Sequence, residues 1–150
     1  MEEKKKPIIL ASDHAGYELK EKLEDVLKEH EIPFEDLTPE FDKNDDYPDI
    51  AFKAAHKVVR EKTRGVLICG TGIGMSMCAN KVKGVRAALA YDEKSARLGR
   101  QHNDANVLCI GARMVDEITA KNILKAWLTT RFLEGRHTRR VEKIKKYEKE

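Results

Sequence analysis

Four short, almost wholly apolar runs constrain the fold of this 150-residue chain more than any other feature: residues 7–11 (PIILA), 65–69 (GVLIC), 85–90 (VRAALA) and 107–110 (VLCI). They are too short for helices, and most are flanked by glycine or polar turns. Apolarity that is continuous rather than alternating marks strands covered on both faces, as in a parallel sheet. A weaker fifth strand is expected at 32–37. Between the runs lie helical stripes: Leu19, Leu23, Val26 and Leu27; then Ile50, Ala54 and Val58; then Ile118, Ile123, Leu124, Trp127 and Leu128. Shorter helices are expected at 75–82 and 93–101. This alternation predicts an α/β fold: a three-layer, doubly wound, five-stranded parallel sheet with right-handed crossovers. The expected strand order is the flavodoxin-like 2-1-3-4-5.

The length suits a single domain over residues 1–150. Residues 1–6 read as a frayed, charged extension. Residues 136–150 form a basic helical pattern with only Val141 and Ile144 as an apolar stripe, so this helix is expected to need a partner surface. The charge balance, 29 Lys and Arg against 26 Asp and Glu, gives a net charge of +3 and does not by itself announce a nucleic-acid protein. No apolar run approaches the roughly 18 residues of a membrane helix, and the start lacks a signal-peptide pattern. Three cysteines without a C-x-x-C pair argue against a disulfide framework or a cysteine-rich zinc site. The expectation is a cytoplasmic protein.

In open α/β sheets, ligands bind beyond the carboxyl ends of the strands. That rule selects Asp13 and His14 after the first run, Cys69 to Gly74 (CGTGIG) after the third strand, Tyr91 and Asp92 after the fourth, and Arg113 after the fifth. Glycines let backbone N–H groups approach an anion. The loop has no Walker pattern, and Met75 stands where a dinucleotide fingerprint needs its last glycine. Asp92 lies about the right distance on for a ribose, which keeps a non-catalytic nucleotide-binding module open as an alternative. Cys69, opening this loop, is a candidate thiolate. The loop's N–H groups could hold an oxyanion formed when that thiolate removes a proton beside a carbonyl, each such donor being worth about 3 kcal/mol. Cys78 and Cys109 read as core thiols, and Asp13 also reads as a helix cap. A redox role for Cys69 lacks a nearby resolving cysteine. His102 and Asn103 precede the fifth strand and so belong at the opposite edge of the sheet. If they are functional, they serve a neighbouring subunit. Arg136, His137 and Arg140 suit a phosphate dianion, although a solvated basic face is the commoner meaning of such a run.

The segments SDHAG (12–16), DYPD (46–49), CGTGIGMS (69–76), ANK (79–81), GVRAA (84–88), RQHNDANVL (100–108) and GRHTRRV (135–141) together resemble the B-type ribose-5-phosphate isomerases and their galactose- and allose-phosphate relatives. The resemblance runs from about Pro7 to Tyr147. It implies an aldose–ketose isomerase acting on ribose 5-phosphate and ribulose 5-phosphate, with a six-carbon sugar phosphate as the alternative. By position it makes Cys69 the base and the loop of Gly70, Gly72, Ile73 and Gly74 the enediolate hole. Thr71, His102 and Asp13 would open the sugar ring. Tyr47 and Asn103 would contact substrate, and His14, Arg113, Arg136, His137 and Arg140 would lie at or near the phosphate. It further implies no metal or organic cofactor, and a homodimer or dimer of dimers with shared sites and a partner-spanning C-terminal helix. The chain departs from the pattern at Leu37-Thr38, where many members have Gly-Thr, and in the loop up to Asp46.

Overall fold

The computed structural model describes residues 5–150; the expected frayed end lies outside them except for Lys5 and Lys6, both exposed. The chain runs β1 (Ile8–Ser12), a 3-10 turn (His14–Gly16), α1 (Tyr17–Glu29), β2 (Phe34–Asp36), α2 (Tyr47–Glu61), β3 (Gly65–Cys69), α3 (Ile73–Ala79), β4 (Ala87–Leu89), α4 (Glu93–Asn103), β5 (Val107–Gly111), α5 (Glu117–Thr129) and α6 (Arg136–Glu148). All strand pairs are parallel. Cap chemistry sets the helix starts: Asp92 and Ser95 form a reciprocal capping box on α4, and the Asp116 carboxylate accepts from Thr119 N–H at α5.

The strand order is 2-1-3-5-4, so the expected 2-1-3-4-5 is corrected at its last two places. Burial explains the exchange. Every residue of β5 is buried, which needs a strand on each side, whereas β4 is three residues long and half-buried. Arg86 directly precedes β4, and a charge beside a short strand suits a sheet edge. β5 therefore pairs with both β3 and β4.

Two cores cover the sheet. Leu10, Leu23, Ile68, Ile110 and Trp127 pack under α1, α4 and α5. Ile9, Ala54, Val58, Leu67, Met75 and Cys109 pack under α2 and α3. Each fully buried large side chain contributes about 1.5–3 kcal/mol. The helix α6 packs against α4 of its own chain, burying His137 and Val141 but leaving Ile144 half-exposed and Tyr147 exposed. Among the described residues no helix is long and apolar enough to cross a membrane.

A buried charge cluster joins α1 to β2. The Lys20 ammonium lies among Asp36, Glu21 and Glu24. These three carboxylates are close enough together to suggest a metal site, but the ammonium already occupies their midst. Burial and the neighbouring carboxylates push Glu24 up to about 7, from 4.5 for an ordinary glutamate. Between those values the folded chain holds a proton on Glu24 that the unfolded chain has released, so the contribution of this group to stability falls as pH rises from about 4.5 to about 7. Glu24→Gln is expected to remove this slope. It should raise stability over the parent at pH 8 by on the order of 2 kcal/mol and leave it little changed at pH 4.5; urea unfolding of both proteins at the two pH values measures it.

Candidate active site

The carboxyl ends of β1 and β3 and the turn after β5 open into a crevice of about 400 Å³, lined by Asp13, His14, Tyr47, Cys69, Thr71 and Arg113 with the glycine loop. Larger hollows, of about 810 Å³ beside α6, about 640 Å³ at the amino edge of the sheet and about 510 Å³ beside Pro7 and Pro33, contain no cysteine or other nucleophile placed beside a base. The chemistry therefore selects the smaller space.

Cys69 ends β3 and is 4% exposed. Gly72 N–H donates to its Sγ at 3.2 Å. Gly72 adopts φ +80°, a conformation side chains rarely take, and a Cβ there would strike Leu89. Thr71 Oγ1 accepts from Ile73 N–H at 3.2 Å, and Tyr91 Oη donates to the Thr71 carbonyl at 3.1 Å. Among the described residues the N–H groups of Gly70, Thr71 and Gly74 meet no protein acceptor. This leaves a set of donors for an anion beside the sulfur. The Arg113 backbone N–H donates to the Gly70 carbonyl at 2.8 Å, and its guanidinium lies over Gly70.

Gly74 abuts the Tyr47 ring so closely that a Cβ would overlap it. Because Tyr47 is a partly exposed side chain, it can move aside. Gly74→Ala is thus expected to displace Tyr47 and raise the KM for substrate about tenfold with little change in unfolding midpoint, as steady-state kinetics and a urea titration would measure.

Asp13 caps the 3-10 turn, accepting from Gly16 N–H at 3.1 Å, as its sequence position suggested. Burial raises its pKa. His14 binds Asp45 twice: its backbone N–H donates to Oδ1 at 2.9 Å, and its Nδ1 lies 2.8 Å from the same oxygen. That hydrogen bond raises the His14 pKa. Asp45 is the site residue that sequence reasoning missed; its one signal was the acidic loop 41–49.

The remaining expected residues gather elsewhere. His102 at the end of α4 stacks on His137 at the start of α6, with ring centroids 4.3 Å apart and planes 12° apart. Arg136 and Arg140 flank them on α6, and Asn103 adjoins through α4. Burial lowers the His137 pKa, and His102, Arg136 and Arg140 add to the effect. This cluster follows α4 and so lies toward the amino end of β5, whereas Cys69 pairs in register with Gly111 at its carboxyl end. The length of β5, about 13 Å, separates the two edges. A single chain therefore brings together only the Cys69 half of the expected residues.

Cys109 is fully buried, and burial drives its thiol pKa up; Cys78 is half-buried and is raised for the same reason. Asp92, the ribose contact of the nucleotide alternative, is engaged as the α4 cap.

A family model described as Ribose/Galactose Isomerase matches residues 8–144. The chain belongs to the ribose/galactose isomerase family. Within this family it is 51% identical to a Mycoplasma genitalium protein named as a probable ribose-5-phosphate isomerase B, over 95% of this chain and 96% of that one. A crystal structure of ribose-5-phosphate isomerase B from Mycoplasma genitalium with bound ribulose-5-phosphate has 50% identity and a TM-score of 0.92, covering 96% of this chain and 97% of that one. A further relative, 41% identical over 94% of each chain, is a D-erythrulose-4-phosphate isomerase from Pectobacterium atrosepticum.

Proposed function

We propose that this member of the ribose/galactose isomerase family interconverts D-ribose 5-phosphate and D-ribulose 5-phosphate without a metal or organic cofactor. The observation that carries the reading is Cys69 Sγ at the end of β3, beside loop N–H groups that meet no protein acceptor. The names of the relatives support the substrate class.

On this reading, Asp13 and Thr71, with His102 of a second copy, move protons to open the furanose. The Cys69 thiolate then takes the proton from C2 of the open-chain aldehyde. Electron density moves onto the carbonyl oxygen, and the loop N–H groups hold the resulting enediolate: those of Gly70, Thr71 and Gly74 directly, and those of Gly72 and Ile73 as they turn from Cys69 Sγ and Thr71 Oγ1. A proton passes from the C2 hydroxyl to the C1 oxygen, and the thiol returns its proton to C1, which completes the ketose. His14 and Arg113, with Arg136, His137 and Arg140 of the second copy, anchor the phosphate, while Tyr47 and Asn103 contact the sugar. Binding energy from the phosphate, remote from the reacting carbons, holds C1 and C2 at the base.

The whole chain acts as one catalytic domain in a homodimer or dimer of dimers, with α6 contacting the partner through its exposed Ile144 and Tyr147. Three unpaired thiols suit a reducing compartment, and the reading places the enzyme in the cytoplasm. A six-carbon or four-carbon sugar phosphate is the second reading, because a relative of 41% identity is named for a four-carbon substrate.

Ribulose 5-phosphate converted in heavy water should yield ribose 5-phosphate carrying deuterium at C2. Complete absence of deuterium at C2 after prolonged equilibration, long enough for the Cys69 S–H to exchange with solvent, would point to a direct hydride shift and overturn the enediolate route. Side-by-side kcat/KM values for ribose 5-phosphate, erythrulose 4-phosphate, allose 6-phosphate and galactose 6-phosphate decide the sugar.

A further inference from the structure

Lys20 carries a charge yet is 0% exposed. Its ammonium donates to the Asp36 carboxylate, to Glu21 Oε1 at 2.8 Å and to the Thr38 carbonyl at 2.9 Å, so each of its protons has an acceptor. The Tyr17 ring lies 4.7 Å away. A buried ion pair is a weak device for stability, because apolar residues of similar volume often do as well. Leu19, Leu23, Val26 and Leu27 already supply the apolar stripe of α1. The geometry of the Lys20 partners points instead toward the crevice.

Asp36 Oδ1 accepts from Thr38 N–H at 2.8 Å and from Thr38 Oγ1 at 3.4 Å. Thr38 Oγ1 in turn accepts from Ser12 N–H at 3.0 Å. Ser12 ends β1, and the next residues are Asp13 and His14. The first turn of α1 also grips the chain beyond Thr38. Tyr17 Oη donates to the Pro39 carbonyl at 2.9 Å, and its ring meets Phe41 edge-on at 5.6 Å. That stretch leads on to Asp45, which binds His14, and to Tyr47, which abuts Gly74. One buried ammonium therefore stands behind two walls of the crevice.

We propose that Lys20 is a positioning residue: through Asp36 and Thr38 it fixes both the β1 exit that carries Asp13 and His14 and the 38–47 segment that carries Asp45 and Tyr47. The proposal deepens the isomerase reading and rests on it only for its kinetic readout.

The test uses Lys20→Met and Thr38→Val in the full chain. The second variant removes one hydroxyl and leaves the Lys20–Asp36 pair in place, so it serves where Lys20→Met does not fold. Two quantities are read from folded protein: kcat for ribose 5-phosphate, and the His14 titration followed by NMR. Both variants are expected to lower kcat about 10- to 100-fold, the scale of a small misplacement at a reacting centre. Both should also move the His14 titration down toward that of an ordinary histidine, as its hold on Asp45 loosens. Lys20→Arg, which keeps the charge, should recover part of each. Folded Lys20→Met or Thr38→Val protein with parental kcat and parental His14 titration would overturn the proposal. If the parent chain shows no isomerase activity, the substrate reading fails, and the His14 titration alone decides the positioning role.

Discussion

Cys69→Ala is expected to lower kcat for sugar-phosphate isomerisation by about 10³-fold, within the range a positioned acid–base group contributes. The substitution removes the only thiol lining the crevice among the described residues. It leaves the loop donors, Asp13 and the proposed phosphate contacts in place, so KM should change far less than kcat. The fold should tolerate the change, because the side chain is small and Ala11 and Ala79 pack in the same core cluster. Cys69→Ser keeps the volume and a hydrogen-bonding atom but replaces the thiol with a much weaker acid. It should therefore share most of the loss, which would locate the effect in the proton transfer rather than in packing. Full turnover by Cys69→Ala protein would remove the assigned base and with it the mechanism proposed above.

Mixing two inactive proteins should restore activity. Cys69→Ala damages the crevice of its own chain. His102→Asn damages the opposite edge, a β5 length away, where His102 stacks on His137. If the crevice of one copy is completed by the His102 edge of another, each mixed dimer contains one doubly damaged site and one intact site. Random exchange of subunits at equal amounts then returns about a quarter of the parental activity. An increase from near zero to that level is a large signal, and native mass spectrometry can verify the exchange independently. No recovery despite demonstrated mixed dimers would mean that each chain works alone, and the His102 cluster would need another explanation.

The residues explain which parts of this arrangement were readable beforehand. Four of the five strands could be read as apolar runs because parallel strands are covered on both faces, and burial of both faces leaves no alternation; the edge strand β2, Phe-Glu-Asp, carries only a weak signal. Strand order is a longer-range property. The expected order rested on the flavodoxin-like pattern alone, and Arg86, inside the run at 85–90, is the one charge in that run that marks an edge strand. Cys69 could be singled out because its glycine neighbours are adjacent in sequence. Asp45 could not: its partner His14 is 31 residues away, and the loop around it offers several equivalent acids. Lys20 was hidden for a different reason. Next to the apolar stripe of α1 it reads as a solvent-facing charge, and only the arrival of Asp36 at the end of β2 makes its burial tolerable. The separation of His102 from Cys69 followed from topology alone, since a helix that precedes a parallel strand must end where that strand begins.

The place of β5 between β3 and β4 has a genetic consequence. Its carboxyl end adjoins the glycine loop of its own crevice, and its amino end follows the His102 edge that the proposed assembly lends to a partner. A lesion that bends this strand would injure two sites at once, one in each copy of a dimer. In a cell carrying normal and altered alleles in equal dose, intact sites would fall to about a quarter rather than to half. Such an allele would be partly dominant, whereas one confined to the Cys69 side chain would act only on its own copy.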